Sequence, residues 1–197
     1  MFVRGGLDAR YRNGIFEAEV ALNADGTESC RHSLEFALYD AAGQRVFVQS
    51  VPVRFDAGKA SVSIRREIKN VERWSAETPY LYRTVLTLCD DAGQVVESVG
   101  CNTGFRSVEL RDGALLVNGE YVMVKGVNLH EHHPVTGHYV DVQTILKDLR
   151  LMKLHNINAI RTSHYPHSTT FYDLCDKYGF YVVDEANIET HGMGAEF

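Results

Sequence analysis

Proline is scarce, at 4 of 197 residues, and the 16 glycines are scattered, so no stretch has the composition of a long flexible linker. Long apolar runs are missing as well. None approaches the ~18–20 residues that a membrane-spanning helix requires, so no membrane association is expected. The opening residues, Met1-Phe2-Val3-Arg4-Gly5-Gly6, lack the basic region and apolar stretch of a secretory signal, which leads to an expected cytoplasmic location. The four cysteines, Cys30, Cys89, Cys101 and Cys175, include no C-x-x-C pair. That spacing fits neither a zinc knuckle nor a disulfide framework, and buried thiols are expected. Positive charge is in short supply, with 20 Lys and Arg against 26 Asp and Glu for a net charge of −6. Such a balance argues against a chain that tracks nucleic acid backbones. What remains is 45% apolar, which is ordinary for globular domains and excludes disorder.

Charge and histidine are unevenly distributed. Residues 1–107 carry 13 Lys and Arg against 14 Asp and Glu, whereas residues 108–197 carry 7 against 12. Of nine histidines, only His32 precedes His130. Polar chemistry therefore belongs to the second half.

The first half reads as strands. Phe16, Ala18, Val20 and Leu22 recur at every second position, the pattern of a half-buried strand. Leu34, Phe36 and Leu38 repeat it and run into a turn at Asp40-Ala41-Ala42-Gly43. Val46 to Val53, Val62 to Ile64, and Tyr82 to Leu88 follow, with a second turn at Asp90-Asp91-Ala92-Gly93. LYDAAGQRV (38–46) and LCDDAGQVV (88–96) echo each other as two similar hairpin turns. About seven short strands predict an immunoglobulin-like β-sandwich over residues 1–107, with Trp74 as a packing residue.

From residue 108 the rhythm changes. A hairpin is predicted around Asn118-Gly119, followed by an apolar strand from Val122 to Val127 that ends in Asn128-Leu129-His130. Asp141 caps a predicted helix with Val142, Ile145, Leu146, Leu149 and Met152 on one face. A strand at Ile157–Ile160 is followed by a helix capped by Ser168 and stopped by Gly179, and then by a strand at Phe180–Val183. Strand, helix, strand, helix, strand with short connections implies parallel strands.

Each of these three strands ends in polar chemistry: Asn128 to His133, Arg161 to His164, and Asp184 to His191. In parallel α/β folds the C-terminal strand ends share one face, and active sites form there. Glu189 and His191 are two residues apart, so in extended backbone their side chains point the same way, toward either a divalent cation or each other. Arg161 is suited to pairing with a catalytic carboxylate or substrate, or to a structural ion pair with Asp184 or Glu185. Glu131, His132 and His133 are either functional or simply order the loop. Three function classes fit. A metal-dependent hydrolase would use His130 and His132 as ligands. A glycosidase would use paired carboxylates, with histidines on sugar hydroxyls. The third is a non-catalytic sandwich acting as an interaction module.

The run from Asn158 through Arg161-Thr162-Ser163-His164-Tyr165-Pro166 to Asp176-Lys177-Tyr178-Gly179-Phe180-Tyr181-Val182-Val183 resembles a signature of the family 2 glycoside hydrolases. GVNLHEHHP (126–134) and DEANIETHG (184–192) are similar to the β-galactosidase branch of that family. Arg73 to Tyr82 resembles the immunoglobulin-like domain that precedes the family's catalytic barrel. One departure is Leu129, where the resembled pattern carries Arg.

The resemblance implies a retaining β-galactosidase acting on terminal, lactose-like β-D-galactosides in carbohydrate catabolism. Glu189 and His191 would be ligands of an active-site Mg²⁺, with Na⁺ as a further ion in the full-length enzyme. His130 and His164 would stabilise the transition state through galactosyl hydroxyls, and Arg161 would lie against the nucleophile. On donor chemistry alone, the histidine would suggest a softer metal than Mg²⁺. The implied catalytic pair are both Glu, the acid/base within an Asn-Glu dipeptide, and this chain contains no Asn-Glu dipeptide. A full (β/α)₈ barrel takes ~250 residues, and 90 follow residue 107. The expectation is a sandwich at 1–107 joined to an incomplete TIM barrel of about three strands at 108–197. Such a fragment would be inactive alone and prone to self-association or poor order through its open sheet, and the full-length protein is expected to be a homo-oligomer.

Overall fold

The computed structural model describes residues 1–24 and 31–188. The chain divides into two compact units, Met1–Ser75 with Tyr80–Tyr121, and Ala76–Pro79 with Val122–Phe197. Among the described residues no helix is long and apolar enough to cross a membrane.

The first unit is built on two antiparallel sheets. One has the order β1 (Phe2–Leu7), β2 (Gly14–Asn23), β5 (Lys59–Ile68). The other runs β4 (Arg45–Arg54), β3 (Arg31–Tyr39), β6 (Tyr82–Cys89), β7 (Val95–Thr103). The alternation in the sequence decides which face is buried. Phe16, Ala18 and Val20 from one sheet meet Leu34, Phe36, Leu38, Leu86 and Leu88 from the other in one core, while Glu17 and Glu19 point away. Two buried polar residues, Thr84 and Thr103, satisfy each other, with their hydroxyl oxygens 2.7 Å apart, so neither carries an unmet desolvation cost.

The echoed segments form matching hairpin turns. In each an aspartate side chain accepts the backbone N–H four residues on, Gln44 from Asp40 and Gln94 from Asp90, both at 2.8 Å. Gly43 and Gly93 both sit at φ +78°, a left-handed conformation that glycine adopts without penalty. Trp74 is buried, with the Arg106 guanidinium 4.9 Å from its ring centre. β1 is not evident in the sequence because Gly5-Gly6 interrupts its pattern. Its glycine is required, since a Cβ on Gly5 would lie 2.4 Å from the Gly104 carbonyl oxygen. A small antiparallel sheet of β8 (Val108–Arg111), β9 (Ala114–Val117) and β10 (Glu120–Tyr121) completes this unit, turning at Asn118-Gly119.

The second unit contains a parallel sheet in the order β11 (Gly126–Leu129), β12 (Ala159–Thr162), β13 (Tyr181–Val183). Helices α1 (Val142–Leu154) and α2 (Thr169–Tyr178) connect the strands. Ile145, Leu149, Phe171 and Cys175 from the helices pack with Ile160 and Phe180, and Val127, Leu129 and Val182 join them. Cys175 is the buried free thiol among these; burial pushes it up to about 12. Cys89 and Cys101 are only half-buried, and Cys30 lies outside the described residues.

Two expectations need correction here. The first strand starts at Gly126 rather than Val122. Asn158 explains the shift: its side chain accepts from Lys125 N–H at 2.8 Å and donates to Met123 C=O at 3.0 Å, taking the groups a longer strand would use for pairing. Ser168 precedes α2 in extended conformation but makes no side-chain cap. Its N–H instead donates to Glu131 Oε1 at 3.0 Å. Asp141 does cap α1, accepting from Thr144 N–H at 2.7 Å, and Gly179 ends α2 at φ +76°.

Candidate active site at the strand ends

Alternation places the polar groups. On β11–β13 the residues Val127, Leu129, Ile160 and Val182 face the helices. Asn128, Arg161 and Val183, which are register partners in turn, therefore face the other way. Past the strand ends come His130, Ser163-His164 (joined by a cis peptide) and Asp184-Glu185.

Glu185 is the hub. Arg161 Nη2 donates to its Oε1 at 2.8 Å, and His164 Nδ1 lies 3.1 Å from Oε2 and 3.3 Å from Oε1. Burial by itself would raise the Glu185 carboxyl, but His164 and the Arg161 guanidinium outweigh it and hold the group below the usual carboxylate range. All three side chains keep partial solvent access, at 38% for Arg161, 35% for His164 and 26% for Glu185. The His130 ring meets the His164 ring edge-on with centroids 5.4 Å apart, so these two predicted substrate contacts are neighbours.

Asp184 takes no part in the ion pair with Arg161. It accepts from Tyr172 Oη at 2.5 Å and from Thr162 Oγ1 at 3.2 Å. Thr162 Oγ1 in turn accepts the Glu185 N–H at 2.9 Å. Burial, then the bond to Asp184, pushes the Tyr172 hydroxyl up to about 12, so it stays protonated and able to donate. The Tyr172 oxygen also accepts the His167 N–H at 2.8 Å. This chain of bonds fixes the loops after β12 and β13 to each other.

The β11–α1 loop is ordered by its own polar residues. The Glu131 side chain accepts the Ser168 N–H, and the Glu131 N–H donates to Tyr165 Oη at 3.2 Å. His133 Nδ1 accepts the Val135 and Thr136 N–H groups, each at 3.2 Å. The His132 ring packs edge-on against His138, at 5.5 Å. His130 and His132 thus point into different ring pairs. Among the described residues no group of three or more His, Cys, Asp or Glu is placed to hold a metal. Glu189 and His191 lie outside the described residues.

His167 carries no functional signal in its sequence context. It is buried, its ring lies 4.8 Å from Phe171, and neither ring nitrogen has a hydrogen-bond partner among the described residues. Burial lowers its pKa, against Glu131, the Leu129 carbonyl and Asp184, which favour the charged form. The Leu129 carbonyl is near the ring without reaching hydrogen-bond geometry. Beside His167 is a cavity of about 50 Å³ lined by His130, His132, Asp148 and Phe171, among others.

Comparison with known proteins bears on this arrangement. The pattern of glycosyl hydrolases family 2 matches residues 1–106, and that of the glycosyl hydrolases family 2 TIM barrel domain matches residues 108–197. A beta-galactosidase of Alteromonas mediterranea is 43% identical over 98% of this chain and 19% of its own length. One of Pseudoalteromonas haloplanktis is 42% identical over the same shares. The chain therefore spans about a fifth of the length of these relatives. Among solved structures, a family 2 member from Bacteroides cellulosilyticus superposes with a TM-score of 0.87 at 25% identity, covering 94% of this chain and 25% of that one. A Bifidobacterium dentium beta-glucuronidase complexed with coumarin-3-O-glucuronide gives 0.77 at 29% identity, covering 89% and 27%.

Proposed function

The chain belongs to glycosyl hydrolase family 2, and from that membership we propose that it forms one wall of a retaining β-galactosidase active site. In this reading an immunoglobulin-like sandwich leads into the first three strands of a catalytic TIM barrel. The substrate is a terminal, lactose-like β-D-galactoside. The observation that supports it most is the Arg161–Glu185–His164 cluster, with His130 beside it, at the C-terminal ends of three parallel strands.

Retaining hydrolysis needs two carboxylates ~5–5.5 Å apart, one to protonate the leaving oxygen and one to attack the anomeric carbon. The carboxylates of this wall are already engaged. Glu131 accepts from Ser168, Asp184 from Tyr172 and Thr162, and Glu185 from Arg161 and His164. Each of them holds a neighbouring loop or side chain in place. The family resemblance assigns the acid/base and the nucleophile to other glutamates, the acid/base within an Asn-Glu dipeptide that does not occur in this chain. The part played by this chain is recognition and electrostatics. His130 and His164 hydrogen-bond galactosyl hydroxyls, and the Arg161 guanidinium, anchored at one edge by Glu185, presents positive charge that keeps a facing carboxylate ionised for attack.

Mg²⁺ belongs to the same proposal, held by Glu189 and His191. The carboxylate is a hard donor suited to Mg²⁺, while the imidazole is less so and leaves most positions to water. When bound, the ion adds positive charge next to the reacting sugar. Cytoplasmic location and homo-oligomeric assembly of the full-length enzyme are also part of this reading. The purified chain, supplied with Mg²⁺ and a chromogenic β-galactoside, is expected to release no product. Measurable turnover would sink the assignment of catalysis to glutamates outside the chain.

A further inference from the structure

We propose that Glu185 is the positioning residue of this site, a single carboxylate that holds Arg161 and His164 together and fixes the His164 imidazole as the tautomer protonated on Nδ1. The inference takes the identity of the sugar from the galactosidase reading; the tautomer assignment is independent of it.

An ionised carboxylate can only accept hydrogen bonds. His164 Nδ1 lies 3.1 and 3.3 Å from the two oxygens of Glu185, so this nitrogen must donate. Arg161 Nη2 lies 3.3 Å from the same nitrogen and 2.8 Å from Glu185 Oε1. Both donors converge on one carboxylate, and the contact between them is proximity imposed by the shared acceptor. With Nδ1 committed, the neutral ring keeps its lone pair on Nε2, which takes part in no hydrogen bond among the described residues.

The consequence is a choice of hydrogen-bond sense at the sugar. Nε2 accepts a hydrogen from a hydroxyl, whose oxygen is then free to accept from a second group. The opposite tautomer would present N–H at the same point and would require the hydroxyl to accept. The loop geometry keeps Glu185 in place for this task. Its N–H is held by Thr162 Oγ1 at 2.9 Å, and the neighbouring Asp184 is held by Tyr172. The His130 ring packs edge-on against His164 on one side. A carboxylate orienting an imidazole through Nδ1 while Nε2 does the chemistry is a general way to fix a tautomer.

Long-range ¹H–¹⁵N correlation spectra of the imidazoles of this chain, recorded without sugar at a pH where His164 is neutral, test the proposal. The wild type is expected to show a pyrrole-type Nδ1 and a pyridine-type Nε2 at His164. In Glu185→Leu the assignment should reverse, with His32 and His155 unchanged. Should that variant fail to fold, Glu185→Gln keeps the shape. The neutral amide accepts more weakly than the carboxylate, so the ratio of Nδ1–H to Nε2–H tautomer should fall about five-fold. An Nε2–H tautomer in the wild type, or an unaltered tautomer in the variants, overturns the role of Glu185. Because no sugar is present, a chain that binds no galactoside would count against the galactosidase reading and not against this one.

Discussion

Leu149→Ala probes whether helices packed on the parallel sheet form a true core. Leu149 is 1% exposed and packs with Ile145, Ile160, Phe171 and Phe180. Full burial of a leucine side chain is worth ~1.5–3 kcal/mol, and an unrelaxed cavity adds to the loss, as in the ~2.7–5 kcal/mol range of buried Leu→Ala changes. Helix propensity contributes almost nothing, because Ala and Leu are both strong helix formers. The expected cost is about 3–4 kcal/mol. Leu154, on the same helix and 81% exposed, supplies the control, with an expected cost under ~0.5 kcal/mol on substitution to alanine. The assay is urea denaturation followed by the far-ultraviolet helix signal. Both described helices belong to the second unit and the only tryptophan, Trp74, to the first, so this signal reports the unit that was changed. With a slope of ~1–2 kcal/mol per M, the midpoint should drop by ~1.5–4 M. Equal shifts for Leu149→Ala and Leu154→Ala would show that Leu149 is not part of a packed core between helices and sheet.

Tyr172→Phe removes the hydroxyl that joins Asp184 to the His167 N–H, and should cost about 1–2 kcal/mol by the same denaturation assay; a change within experimental error would mean that this bridge contributes nothing. Gly179→Ala combines a left-handed φ of +76° with a Cβ that would lie 2.4 Å from the Ala76 carbonyl oxygen, so a loss above ~2 kcal/mol is expected in thermal or urea unfolding. His167 has its folded pKa lowered by burial, so as pH falls through 6.5 the unfolded chain takes up a proton that the folded chain resists. Its share of stability is present above that range and is lost on acidification down to the lowered folded pKa. His167→Phe should therefore flatten the stability profile between about pH 7 and pH 5, and an unchanged slope would show that the histidine is not buried as a neutral ring.

Period-2 patterning made the sandwich strands legible, because Phe16, Phe36 and Leu86 are buried by the alternation visible in the sequence. It could not reveal β1, whose two glycines carry no hydrophobic signal. Nor could it show that the strand before His130 starts late, since that depends on a side chain 33 residues away, Asn158. At the site, the convergence of His130, Arg161, His164 and Glu185 followed from strand ends in a parallel sheet. The choice of Glu185 over Asp184 as the partner of Arg161 did not. It is decided by Tyr172 and Thr162, which occupy Asp184 from α2 and β12, and neither position differs in pattern from ordinary helix or strand residues. His167 was unreadable for a related reason: a histidine after Pro166 looks like a surface loop residue until Phe171 and Tyr165 are seen packed around it.

The claim that this chain forms a galactoside-facing wall is tested most directly by titrating it, in the presence of Mg²⁺, with a non-hydrolysable β-thiogalactoside and with the matching β-thioglucoside, while the imidazole signals are followed by NMR. Saturable shifts at His130 and His164 are expected with the galactoside, weaker or absent with the glucoside, and none at His32 or His155. No shift at His130 and His164, or equal shifts with both sugars, would show that these residues do not face a galactoside.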